Sequence, residues 1–228
     1  MNKLVVMVEG ETEQTFVRDQ LSGHLALFGV TAWPILPGRG GRLQGVRKWA
    51  GARADIIRSL NSGNFVTTMF DFYGVPEDWP GRSDTGSLPW SSRAEFVETK
   101  IAEDIGVAMG NRFNPDRFVP YLQLHEFEAL AFSNIESLAS VTAPLGTISS
   151  EKLVKSFTEI LDEAGTPEAI NDSYDTCPSR RISKLVAGYR KRVHGPIVTR
   201  RIGLSAIREK CKHFAGWLEK LESIGTAS

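Results

Sequence analysis

The chain has 228 residues, 41% of them hydrophobic and 24% charged, with equal numbers of basic and acidic side chains. This is the composition of an ordinary globular protein, long enough for one large domain or a domain with an appendage. No membrane span, secretory leader or disulfide framework is expected: no apolar run is long enough, the first residues read as a strand and not as a signal-peptide pattern, and Cys177 and Cys211 are the only cysteines. The expected setting is reducing and cytoplasmic.

The first stretch, KLVVMVEGETE (Lys3–Glu13), is a β-branched apolar run that stops at Glu9-Gly10, where a helical pattern begins. A buried strand delivering a carboxylate at its C-terminal end is how an α/β fold presents an active-site acid. Phe16, Val17, Leu21 and Leu25 then recur at helical spacing and predict a helix over 12–27. Val30–Leu36 is β-rich but contains Pro34, which suits an edge strand. The glycine-rich GRGGRLQG (Gly38–Gly45) lacks the lysine and hydroxyl pair of a Walker loop and reads as a connector. Its arginines could still touch a nucleic-acid backbone. A basic amphipathic helix follows over 46–60.

Asn64–Phe72 is the second strong strand and also ends on an acid, Asp71. In a doubly wound parallel sheet such ends share one edge, so Glu9 and Asp71 are expected to converge on a divalent cation, Mg²⁺ or Mn²⁺. Val75–Pro89 is a long irregular excursion in which Trp79 is expected to pack in the core, as is Trp90 just beyond it, with base stacking the alternative. A helix is predicted over 92–109 and a third strand over 117–127, RFVPYLQLHEF. Glu126 and Glu128 follow; two apart, they share a face on a strand and diverge on a helix, so one of them is expected to reach a metal. Residues 135–150 look like a polar connector and 152–163 a helix. The remainder is helical, with a break at Gly195-Pro196.

Charge is segregated. Thr176–Arg208 has no Asp or Glu but contains Arg180, Arg181, Lys184, Arg190, Lys191, Arg192, Arg200, Arg201 and Arg208. Six basic residues, among them Arg39, Arg42, Arg47 and Lys48, stand between Gly38 and Leu60 against one acid. Such segregation suggests a phosphate-bearing partner, with Arg39, Arg42, Arg47, Lys48, Arg180, Arg181, Arg190 and Arg192 as backbone contacts, unless the basic and acidic segments pack together and cancel. Lys191 or His194 could support a phosphate or a leaving oxyanion.

VVMVEGETE, the later FDFYG and the LHEFEAL junction resemble the Toprim-like proteins. NDSYDTCPSRRISKL, YRKRVHGP and IGLSAIREKCKHFAGWLEKLE resemble a prokaryotic group, the domain-of-unknown-function family 4276, over nearly the whole chain. The first resemblance implies a Toprim-like, Rossmann-like α/β domain over 1–135 with a helical C-terminal region over 136–228. It also implies a Mg²⁺-dependent nuclease distantly similar to the overcoming-lysogenization-defect class. Glu9 and Asp71 take the positions of that family's glutamate and first aspartate. The second aspartate position holds Tyr73, a poor Mg²⁺ ligand, so either Glu126 or Glu128 substitutes or metal binding is weakened. The family resemblance further implies a partner ATPase of AAA or ABC type and a role in phage defence. The competing expectation is a catalytically degenerate subunit regulating that ATPase.

Overall fold

Leu4–Val8 are all buried, which makes β1 (Asn2–Val8) a strand covered on both faces. The computed structural model describes residues 1–37, 48–170 and 176–226. β1 pairs in parallel with β2 (Val30–Ile35) on one side and β3 (Phe65–Asp71) on the other. β3 pairs in parallel with two short strands, β4 (Phe118–Val119) and β5 (Leu122–Gln123), giving the order β2-β1-β3-β4 with β5 also on β3. β2 lies at the edge, as its Pro34 suggests. This is the mostly parallel, Rossmann-like α/β sheet with flanking helices that the sequence predicts.

The first predicted helix is α1 (Glu11–Phe16) and α2 (Ser22–Ala26) joined by a π turn, Val17–Leu21. α3 (Trp49–Asn61) starts where the Asp78 carboxylate accepts the Trp49 N–H at 3.0 Å. Asp78 adjoins Trp79, whose ring packs on Trp49 and Phe70, so Trp79 is a core plug that pins the irregular excursion to the sheet. Trp90, expected to pack, is instead 38% exposed at the first turn of α4 (Trp90–Met109).

The third predicted strand is broken at Pro120, which has no N–H to donate. Thr68 repairs the gap: its hydroxyl donates to the Tyr121 carbonyl and accepts the Tyr121 N–H, both at 2.8 Å. Glu98 accepts the Leu122 N–H at 2.7 Å and completes the repair.

Beyond this strand lie α5 (Ile135–Thr142), α6 (Ser150–Ala164), α7 (Pro178–Leu185), α8 (Lys191–Ile202), α9 (Leu204–Lys210) and α10 (Lys212–Ser223). α5 corrects the expected connector. Asn134 caps it by accepting the Ser137 N–H at 2.8 Å, and Ile135, Leu138, Ala139 and Thr142 form its buried face. The expected break at Gly195-Pro196 is also corrected: Pro196 sits inside α8, and the interruption falls at 186–190. There a Cβ on Gly188 would meet the Leu145 carbonyl, so tight packing holds this turn.

The chain divides into two compact units, Met1–Gln123 with Glu219–Ser228, and Leu124–Leu218. The last residues of the chain thus belong to the first unit. In the second unit Phe132 and Phe157 meet edge to face within a core that includes Leu138, Leu153, Ile182 and Val198. Among the described residues no helix is long and apolar enough to cross a membrane, and both cysteines are free and buried.

Candidate functional site

Parallel pairing of β1 with β3, Val8 opposite Met69, brings the C-terminal ends of these strands to one edge of the sheet. Glu9 follows β1 and Asp71 ends β3. The Glu9 carboxylate reaches across and accepts the Asp71 N–H at 3.1 Å. It lies against the short helical turn Phe72–Gly74, so closely that a Cβ on Gly74 would stand 2.7 and 3.0 Å from its two oxygens. Gly74 is therefore part of the seat of Glu9. Asp71 is itself buried, 5% exposed. Behind Glu9 the chain turns into α1 at Gly10, whose N–H is accepted by the buried Glu13 carboxylate at 3.0 Å.

Tyr73, in the same turn, is 44% exposed, and Phe72 meets it edge to face. The Arg82 guanidinium lies 4.4 Å from the centroid of the Phe72 ring. Burial pushes the Arg82 pKa down, the Tyr73 hydroxyl and Glu77 act in the opposite direction, and Arg93 adds to the lowering.

The other predicted acids belong to the second unit. Glu126 immediately precedes a 3₁₀ stretch, Phe127–Ser133, and Glu128 is fully buried inside it. Both approach one cation: Lys191 Nζ is 3.0 Å from Glu128 and 3.9 Å from Glu126. The two carboxylates expected to diverge on a helix thus share a target, because the tighter turn starts at Glu126 with an extended backbone. Glu126 also accepts the Ser179 N–H at 3.1 Å in the first turn of α7, where a helix N-terminus favours negative charge. Among the described residues no group of three or more His, Cys, Asp and Glu side chains is arranged to hold a metal ion. The third carboxylate that the sequence asks of Glu126 or Glu128 is engaged by Lys191 within the second unit.

Tyr189 is buried nearby, and its pKa is pushed well up by burial first and by Glu128 second. His194 is buried and accepts the Arg190 N–H through Nδ1 at 2.8 Å, capping the start of α8. Burial, then Arg190, lowers its pKa, which favours the neutral ring with its proton on Nε2. Its role in this geometry is a helix cap.

Of the predicted backbone contacts, Lys48, Arg190 and Arg192 are exposed. Arg181 is committed to Glu163 at 3.0 Å and to the Thr176 carbonyl at 2.8 Å. Arg180 is half-buried. Arg39, Arg42 and Arg47 lie outside the described residues. Two residues of the site escape sequence reasoning. Gly74 had a signal, a glycine three residues after an acid-terminated strand; Arg82, a lone arginine in an irregular stretch, had none.

The chain matches the family model described as Domain of unknown function (DUF4276) over residues 8–222, and it belongs to that family. No curated protein and no solved structure matches it.

Proposed function

We propose that this member of the DUF4276 family is a Mg²⁺- or Mn²⁺-dependent nuclease that holds its metal with Glu9 and Asp71. The observation that carries the reading is the meeting of these two acids at adjacent parallel strand ends, with the Glu9 carboxylate on the Asp71 N–H. The donor set fits such a cation: carboxylate oxygens are hard ligands, and Mg²⁺ takes one or two of them while water and phosphate fill the rest of its shell. A metal held there would supply an acidified water and neutralise charge on a phosphodiester. The Asp71 N–H and the bare face of Gly74 hold the Glu9 carboxylate in one orientation before any ligand arrives. Asp71 is withdrawn from bulk water, so a bound cation would offset the cost of holding its carboxylate there. The exposed Lys48, Arg190 and Arg192 are proposed to contact the nucleic-acid backbone. A Toprim-like ancestry, a partner ATPase and a place in phage defence belong to the same proposal and rest on the sequence resemblance.

Two observations favour a second reading, a catalytically degenerate subunit that regulates a partner: Tyr73 stands where an acid is expected, and Lys191 neutralises Glu128. Calorimetric titration with Mn²⁺ separates the two. Binding by the wild type that is lost in Glu9→Gln supports the nuclease; a wild type that binds no metal supports the regulatory subunit.

A further inference from the structure

The turn after Asp71 carries more than the seat of Glu9. Phe72 and Tyr73 present their rings at right angles to each other, centroids 5.4 Å apart, so Phe72 props the half-exposed Tyr73 ring in one orientation. The Arg82 guanidinium sits over the first ring and 5.9 Å from the centroid of the second. One of its nitrogens, Nη1, donates to the Thr85 hydroxyl at 3.3 Å. Its buried Nε has no hydrogen-bond partner among the described residues.

Arg82 also has no ion pair among the described residues. Glu77 acts on it only from beyond ion-pair distance, and a partly buried guanidinium with unspent donors costs stability unless an anion completes it. Its planar fork matches a phosphate. An exposed, propped aromatic ring suits a different part of the same ligand, the face of a base.

We infer that Arg82 and Tyr73 form a nucleotide-recognition pair beside Glu9 and Asp71, Arg82 taking a phosphate of the strand and Tyr73 stacking on an unpaired base. This rests on the nuclease reading and narrows its substrate to single-stranded nucleic acid. A base inside a duplex has both faces covered by its neighbours, so only an unpaired or splayed base offers one to Tyr73. The pair also gives Tyr73 a use at the position where a metal-binding acid is absent.

The test is fluorescence anisotropy with labelled single-stranded DNA and RNA and the matching duplex, in EDTA, across a range of salt. The wild type binds a single strand more tightly than the duplex. Tyr73→Ala weakens single-strand binding about 5- to 100-fold, and Tyr73→Phe, which keeps the ring, restores it. Arg82→Gln weakens binding and makes the logarithmic salt slope shallower by about 0.7, the signature of one lost phosphate contact on a single strand. Arg82→Lys keeps the slope while losing the affinity that the planar fork supplies. Thermal melting confirms that each variant is folded. Unchanged affinity in Tyr73→Ala, an unchanged slope in Arg82→Gln, or preference for the duplex overturns the inference. A wild type that binds no nucleic acid overturns both this pair and the nuclease reading. Single-strand binding without cleavage in Mg²⁺ overturns the nuclease reading and leaves the pair standing.

Discussion

The carboxylate of Glu9 accepts the backbone N–H of Asp71 at 3.1 Å, tying the residue after β1 to the last residue of β3. The bond is charge-assisted and joins two neighbouring parallel strands at their C-terminal ends. It makes the position of Glu9 depend on the turn that follows Asp71, and the first expectation concerns that turn.

Gly74→Ala places a methyl group 2.7 Å from a Glu9 oxygen. The carboxylate must move, because the methyl is fixed to the backbone. A displacement of about 1 Å at a catalytic group costs on the order of 100-fold in rate. The expected outcome is loss of metal-dependent cleavage of about that size with a melting temperature within a few degrees of the wild type. Full activity in Gly74→Ala would show that the orientation of Glu9 does not matter.

His194 links stability to pH. Its folded-state pKa lies below the ordinary value of about 6.5, so the unfolded chain binds this proton more readily than the folded one. Its contribution is therefore fully present above that ordinary value and is lost as pH falls through the lowered folded value. Protonation would also replace the Nδ1 acceptor with a donor facing the Arg190 N–H. In His194→Asn the Oδ1 atom can accept the same N–H without titrating. Denaturation followed between about pH 7 and pH 5 should show a smaller loss of stability in this variant than in the wild type; parallel curves would show that the cap is not linked to pH.

The Glu128–Lys191 pair should behave as a buried carboxylate with a partly solvated partner. Lys191→Met leaves Glu128 fully buried without its cation. A fully buried pair broken in this way costs about 3–5 kcal/mol, and about 2–3 kcal/mol is expected here because the lysine is still a third exposed. Glu128→Gln combined with Lys191→Met should recover most of the loss, since no charge is then stranded. Urea denaturation of the three variants measures it, and a double variant no more stable than Lys191→Met would contradict this account of the pair.

Much of the first unit was legible because its signals are local. β1 and β3 are continuous apolar runs, each ends next to an acid, and their parallel pairing follows from that pattern. Local pattern is not enough where a distant group decides the outcome. Pro120 splits a strand that Thr68 and Glu98 then hold together, and no periodicity foretells those partners. Pro196 reads as a helix stop, yet α8 runs through it while the turn at Gly188, pressed against Leu145, makes the break. The sequence offers Glu126 or Glu128 as a metal ligand, but their engagement by Lys191 depends on where α8 begins. Arg82 was invisible because its meaning lies in the rings it covers.

The most direct test is cleavage of labelled single-stranded DNA and RNA by the purified protein in Mg²⁺ and Mn²⁺, run side by side with Glu9→Gln. This variant keeps the shape of the side chain and can still accept the Asp71 N–H through its carbonyl oxygen, so folding should be preserved. The expected result is metal-dependent cleavage by the wild type, abolished by EDTA and absent in Glu9→Gln at an unchanged melting temperature. Cleavage by Glu9→Gln at the wild-type rate would contradict the assignment of Glu9 and Asp71 as the metal-binding site.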